Sequence, residues 1–127
     1  MTEDPLPTDA ELEILTVLWS LGLATVRDVH EELTRRKPSQ YTTVLKTLQI
    51  MAAKGLVKRD EKQRAHVYEP RRSREWTQKQ LAGDLLQRAF AGSARGLLMG
   101  ALSAKKTSRA ELAEIRKLLD EYEKGSR

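Results

Sequence analysis

Hydrophobic residues follow helical spacing in the first part of the chain. Between Thr8 and Gly22, four leucines and a valine fall on one stripe of a helical wheel. Thr8, with Glu11 three positions later, has the pattern of a capping box. We therefore expect a first helix that begins after Thr8 and ends at Gly22.

A second helix is predicted after Thr25 by apolar residues three and four positions apart. It should end at the basic run of residues 35–37, because cations are favoured at a helix C-terminus, and Pro38 prevents continuation. Ser39 is expected to cap a third helix, which Gly55 should end.

The third helix combines an apolar face with an unusual polar face. Val44, Leu45, Leu48, Met51 and Ala52 share one sector of the wheel and should face a core. The segment from Ser39 to Gly55 contains no acidic residue. Its outer sector instead collects small polar, cationic and apolar side chains, namely Thr42, Thr43, Lys46, Gln49, Ile50 and Ala53.

Two short segments after this helix predict a β-hairpin. They are residues 56–59 and residues 66–69, with a polar tip between them and Pro70 at the end. Three helices followed by a hairpin are the layout of a winged helix-turn-helix. We therefore predict a mainly α fold with a small β-hairpin wing. A winged-helix DNA-binding domain should occupy residues 1–72, and a helical dimerisation region should occupy residues 73–127.

The predicted dimerisation region has helical patterns but too few apolar residues to form a core of its own. Helices are expected at residues 74–90, at residues 94–104 and after a capping box at Ser108. Because three short helices bury too little apolar surface to be stable alone, we expect two copies to pair through them as a symmetric homodimer. The expected dimer contacts are Leu81, Leu85, Phe90, Leu97, Leu98, Leu112, Ile115, Leu118, Leu119 and Tyr122.

The distribution of charge favours an anionic partner. The 127 residues carry a net charge of +5. Residues 1–32 hold eight acidic side chains and one basic one, whereas residues 33–74 hold twelve basic and three acidic ones. Such a local excess is typical of a nucleic-acid-binding surface, although a basic solvated face that binds nothing would have the same composition.

The acid-free face of the third helix suits the major groove of double-stranded DNA. Small hydroxyl and amide groups allow close approach and hydrogen bonds, whereas carboxylates would be repelled. We predict DNA contacts by Thr42, Thr43, Lys46 and Gln49, and Ile50 could meet a thymine methyl group. On the hairpin, Arg59, Lys62 and Arg64 are predicted contacts to phosphate or the minor groove. An ordinary helix surface and hairpin tip remain the alternatives.

No pattern in the sequence indicates catalysis or a cofactor. The chain has no cysteine, which excludes disulfides and thiolate metal sites, and it has no Gly-rich phosphate loop, HExxH or serine-nucleophile motif. The first ten residues are acidic and unlike a signal peptide, and the apolar run of residues 97–102 is too short to span a bilayer. We expect a cytoplasmic protein that is not an enzyme.

Two sequence blocks resemble the penicillinase-repressor family, also called the BlaI/MecI family. Residues 7–15 followed by Val17-Leu18-Trp19 resemble its opening helix. Residues 41–48, with Lys54-Gly55-Leu56-Val57, resemble its recognition helix and the exit into the wing. The helical tail from Trp76 to Tyr122 resembles its dimerisation region, so the similarity covers residues 6–123.

The resemblance implies a homodimeric repressor on an inverted-repeat operator, in many members built around TACA and TGTA. It also implies DNA contacts by Thr42, Thr43 and Lys46, and a membrane-bound metalloprotease sensor system as a partner. Penicillinase repressors are cleaved at an Asn-Phe bond where this chain has Gly100 and Ala101. The cleavage bond is thus not carried over, and cleavage near Gly100 stays open. The missing cysteines argue against the copper sensing of other members.

Two other functions are compatible with the sequence. The winged helix could be a protein-interaction module whose basic segment binds an acidic partner. A regulator of the same fold could also bind a small effector in the apolar region from Trp76 to Met99.

Overall fold

The structure, a computed structural model, describes residues 5–62 and 64–125. It falls into two compact units, Met1–Ala82 and Gly83–Arg127. The elements in chain order are α1 (Asp9–Leu21), β1 (Ala24–Thr25), α2 (Val26–Arg36), α3 (Tyr41–Lys54), β2 (Val57–Asp60), β3 (Val67–Pro70), α4 (Arg74–Phe90), α5 (Ala94–Ala104) and α6 (Arg109–Gly125). The predicted functional division into residues 1–72 and 73–127 stays a prediction.

Capping boxes begin the first two helices; the sequence predicts the box at Thr8, and for α2 it predicts a cap at Thr25 without the reciprocal bond. The Thr8 hydroxyl accepts from the Glu11 backbone N–H at 3.2 Å, and the Glu11 carboxylate accepts from the Thr8 N–H at 2.9 Å. Thr25 and Asp28 repeat the arrangement at the start of α2, with distances of 3.1 and 3.0 Å. These paired bonds satisfy N–H groups that a helix start leaves without partners.

The expected cap of the third helix is wrong by one residue. Gln40 is the N-cap of α3, and its side chain makes no capping hydrogen bond. Ser39 instead takes part in the turn between α2 and α3. Its hydroxyl donates to the Lys37 carbonyl oxygen at 3.2 Å, and its own carbonyl oxygen accepts from His30 Nε2 at 2.8 Å. The serine therefore fixes the turn and leaves the helix start to backbone geometry.

The core of the first unit lies between α1, α2, α3 and the sheet. On α3, Val44, Leu48 and Met51 are buried, and Leu45 and Ala52 pack against the core, which confirms the predicted apolar face. The other buried hydrophobic residues are Ile14, Leu15, Val17, Leu18, Ala24, Val26, Val29, Leu33, Val57 and Tyr68. Burial on this side leaves the opposite face of α3 to solvent.

The hairpin is part of a three-stranded antiparallel sheet in the order β1-β3-β2. Ala24 pairs with Tyr68, and Arg59 pairs with the same tyrosine from the other side. Each hairpin strand begins one residue later than the sequence pattern indicates. The winged-helix fold is as predicted, and β1 is an addition that the sequence does not signal.

Arginine and tryptophan side chains join α1 to the start of α4 within the first unit. The Trp19 indole N–H donates to the Arg72 carbonyl oxygen at 3.0 Å. The Arg72 guanidinium lies 4.5 Å from the centre of the Trp76 ring, and the Arg74 guanidinium lies 5.8 Å from that of Trp19. Cations over indole faces are attracted by the ring quadrupole, so both tryptophans are held in place by polar as well as apolar contacts.

The second unit has helices without a buried core. None of its described residues is buried. Within this unit the Phe90 ring lies against Gly96 and Gly100 of α5, where an added Cβ would meet the ring at an ordinary contact distance of 3.4–3.5 Å. In the described parts of the chain, no helix is long and apolar enough to cross a membrane.

Candidate nucleic-acid interface

The turn between α2 and α3 sets the direction of α3. Besides the hydrogen bond to the Ser39 carbonyl, the His30 ring meets the Tyr41 ring edge-on, with centroids 5.6 Å apart. Because a carbonyl oxygen can only accept, His30 Nε2 carries the proton in this bond. The start of α3 is thereby tied to the middle of α2.

The opposite end of α3 is held by a partly buried ion pair. Lys54 Nζ lies 2.8 and 2.9 Å from the two carboxylate oxygens of Glu11, whose residue is 3% exposed. Burial acts to raise the pKa of Glu11, but the hydrogen bonds from Lys54 and the Thr8 N–H, with the Lys54 charge, together lower it. The carboxylate therefore stays ionised and anchors the C-terminus of α3 to the N-terminus of α1.

The polar face of α3 is open to solvent. Thr42, Thr43, Lys46 and Gln49 are all exposed, as is Ile50 with 45% of its surface accessible. No acidic residue occurs along the helix. The face offers hydroxyl donors, an amide and a cation at helical spacing, which is the set of groups that base edges and phosphates accept.

The three predicted wing residues are exposed, and one of them, Arg59, contacts an acidic side chain. Arg59 Nη2 lies 3.5 Å from Glu61 Oε1, so an acid partly neutralises this cation. The Lys62 backbone N–H donates to Asp60 Oδ1 at 2.9 Å, which turns the chain at the tip, and the Lys62 side chain is exposed, like that of Arg64. Gln63, between them, lies outside the described residues.

A groove of about 480 Å³ separates α3 from the wing. Its walls come from the start of α2, the start of α3 and the wing, and Tyr68 on β3 is part of its lining. The remaining lining residues are Thr25, Val26, Arg27, Tyr41, Leu45, Arg64, Ala65 and His66, and no carboxylate is among them. Sequence reasoning did not select Arg27, Tyr41 or His66. One signal was available, since Arg27 is the single basic residue in residues 1–32.

The predicted dimer residues lie on several helices and differ in exposure. Leu118, Leu119 and Tyr122 on α6 are 51%, 54% and 72% exposed, and Leu85 on α4 is 40% exposed. Leu97, Leu98, Leu112 and Ile115 are partly covered. Phe90 differs from the rest because its ring packs on Gly96 and Gly100 of its own chain. Leu81 belongs to the first compact unit and is also partly covered.

Comparison with known proteins identifies the family. The family model described as penicillinase repressor matches residues 7–121. The chain belongs to the penicillinase-repressor family. A transcriptional regulator BlaI of Mycobacterium tuberculosis is 35% identical over 119 residues, which cover 92% of this chain and 85% of the relative. The penicillinase repressor of Bacillus licheniformis is 24% identical over 122 residues, which cover 96% of this chain and 95% of the relative.

Solved structures of the family resemble more than half of the chain. The DNA-binding domain of the repressor BlaI in solution has a TM-score of 0.51 at 27% identity, covering 58% of this chain and 90% of that domain. The monomeric form of Bacillus licheniformis BlaI in complex with the blaP half-operator has a TM-score of 0.50 at 27% identity, covering 59% of this chain and 92% of that one. The predictions of family, winged-helix fold and transcriptional repression through DNA binding are thus confirmed.

Proposed function

We propose that this penicillinase-repressor family member acts as a homodimer that places α3 of each copy in the major groove of an inverted-repeat operator. One observation carries the proposal: a winged helix presents an exposed α3 face with hydroxyls, an amide and a cation and without a carboxylate. Double-stranded DNA is the partner that such a face suits, because phosphates repel acids and base edges accept and donate hydrogen bonds. A relative solved with a half-operator supports the same choice of partner.

The proposed contacts divide by position on α3. Thr42 and Thr43, in the first turn, donate hydroxyl protons to phosphates or base edges, with help from the helix N-terminus, which favours anions. Lys46, one turn further on, donates to a guanine edge or a phosphate, and Gln49 reads an adenine edge. On this scheme Ile50 meets a thymine methyl group, which explains an apolar side chain left in solvent.

The wing supplies contacts that position the protein. Lys62 and Arg64 approach phosphate or the minor groove from the tip. Arg59 joins them by exchanging its contact with Glu61 for a phosphate oxygen. Such contacts add affinity for any duplex and carry little sequence information.

Homodimer formation through the second unit is proposed from its lack of buried residues. Leucines and a tyrosine on α6 remain in solvent in a single chain. A second copy of the same helices would cover them and give the region a core. Two DNA-binding units would then meet two half-sites spaced by about one helical turn or a multiple of it.

The other two functions find less support. An effector in the predicted region from Trp76 to Met99 would need a cavity of about 300 Å³ or more, and the cavity beside Trp76 in the first unit has a volume of about 20 Å³. An acidic protein partner would bind a basic face, but this hypothesis does not explain why the exposed face of α3 carries threonines and a glutamine. The membrane-bound metalloprotease sensor system stays a prediction of the family resemblance.

Fluorescence anisotropy of a labelled duplex tests the proposal. A duplex with a TACA–TGTA inverted repeat is compared with a scrambled duplex at two salt concentrations. A preference of about a hundredfold or more for the repeat is expected, which corresponds to about 2.7 kcal/mol. Equal binding to both would make the operator sequence wrong, and no binding to either would reject the DNA-binding role.

A further inference from the structure

We propose that the groove between α2, α3 and the wing holds a segment of one DNA strand, with Arg27 and Arg64 as phosphate ligands on two of its walls. The inference rests on the proposed function, since it assumes duplex binding. It adds a contact surface that neither the α3 face nor the wing tip provides alone.

The chemistry of the lining points to a phosphodiester chain. Arg27, Arg64 and His66 bring nitrogen donors to the lining, and Tyr41 brings a hydroxyl group. Val26, Leu45 and Tyr68 contribute apolar surface. A sugar-phosphate backbone alternates anionic groups with largely apolar deoxyribose rings, so both kinds of surface find a partner. No carboxylate is among the lining residues, but Glu61 Oε1 lies 3.8 Å from His66 Nε2 and Glu31 Oε1 lies 3.5 Å from Arg27 Nε. Both contacts are between exposed side chains, so a phosphate oxygen can replace them at little cost.

The groove is continuous with the proposed recognition surface. Tyr41 and Leu45 belong to the first two turns of α3, so they lie beside the threonines at positions 42 and 43. Arg64 belongs to the wing. When α3 lies in the major groove, the DNA strand at the edge of that groove passes between α3 and the wing. That position is the protein groove described here.

Arg27 is available for a new partner. Its side chain is 81% exposed, and its contact with Glu31, one helical turn further along α2, has an N–O distance of 3.5 Å. Exposed pairs within a helix contribute little, so a phosphate oxygen can replace the carboxylate. The guanidinium fork also allows bidentate contact with phosphate.

Arg35 provides a matched control on the same helix. Its side chain is 78% exposed and pairs with Glu32 at 3.2 Å, much as Arg27 pairs with Glu31. Arg35 lines a separate depression with Asp28, Glu31 and Glu32 and does not line the groove. Arg27→Ala and Arg35→Ala thus remove the same charge from α2 and differ in their position relative to the groove.

The test measures binding to operator and scrambled duplexes over a range of salt concentrations. Arg27→Ala should weaken both by the same factor, about three- to tenfold at low salt, and reduce the slope of log K against log salt by about 0.9. Arg35→Ala should change neither. Equal behaviour of the two variants, or a loss confined to the operator, would overturn the proposal.

A second pair of variants tests the groove without removing a cation. Ala65 lies in the lining and is exposed, so Ala65→Gln and Ala65→Glu should both fold. The glutamate variant should bind every duplex at least about tenfold more weakly than the isosteric glutamine variant, because it places an anion against phosphate. Equal binding by the two would assign the groove to another occupant, such as an acidic peptide, and overturn the proposal.

If the unaltered protein binds no duplex, the proposed function itself fails. If it binds and these variants do not differ, only the groove assignment fails.

Discussion

At the scale of single residues, Lys46 is the most informative position on α3. It is an exposed cation on a face whose other polar groups are neutral. The first contact between helix and DNA is electrostatic, and the direction of this side chain decides whether that contact also distinguishes bases.

Lys46→Ala should weaken operator binding by about 1–3 kcal/mol if the ammonium group contacts a base edge, with little loss on scrambled DNA. If it contacts phosphate, both duplexes should lose affinity about equally. Anisotropy titrations of both duplexes separate the cases, and Lys117→Ala, exposed on α6, serves as the control. Unchanged affinity would remove Lys46 from the interface.

At the scale of elements, the pair Glu11–Lys54 connects the start of α1 to the end of α3. The folded-state pKa of Glu11 is lowered, so the ionised form favours folding. This contribution is fully present above the ordinary glutamate pKa of about 4.3 and is lost as the pH falls through the lowered value.

Glu11→Gln should therefore reduce the free energy of unfolding by about 1–3 kcal/mol near neutral pH, and the difference from the unaltered protein should shrink below about pH 4. Urea titrations at a series of pH values measure it. Glu13→Gln provides the control on the same helix as Glu11. Glu13 forms a half-exposed pair with Lys37 at the end of α2, so this substitution should cost about 0–1 kcal/mol. A pH-independent difference would show that the Glu11 charge does not matter.

Elements with local causes could be predicted from the sequence, and those with distant partners could not. Capping boxes at Thr8 and Thr25 fixed the starts of α1 and α2, because all their bonds lie within one turn. β1 depends on pairing with Val67 and Tyr68, far along the chain. Glu11 meets Lys54 across 43 positions. The groove needs α2, α3 and the wing together, so the pattern around Arg27 alone could not indicate it.

At the scale of the whole molecule, the second unit leaves large apolar side chains in solvent. Leu118 and Leu119 are about half exposed on α6, which also carries Tyr122. Homodimer formation would remove this surface from water, and because each leucine is already half covered, its burial would contribute about 1–1.5 kcal/mol.

Leu118→Asp should shift the protein from dimer to monomer, because the substitution would bury an unpaired charge in the proposed dimer interface. Sedimentation equilibrium at micromolar concentration gives the mass directly. Lys117→Asp, at the exposed position just before Leu118 on α6, should remain dimeric. A Leu118→Asp protein with the mass of a dimer would show that the dimer interface does not include Leu118.

Both tryptophans lie in the first of the two units, so the units differ in their fluorescence. Both lie in Met1–Ala82, where Trp19 is bonded to the Arg72 carbonyl and Trp76 lies under the Arg72 guanidinium. The chain has only these two, so residues 83–127 contain no indole emitter. Tryptophan fluorescence, excited at wavelengths that tyrosine does not absorb, therefore follows the first unit alone, while far-ultraviolet circular dichroism follows helices in both units. A difference between the two melting curves of the unlabelled protein would reveal whether the units unfold in one step or in sequence.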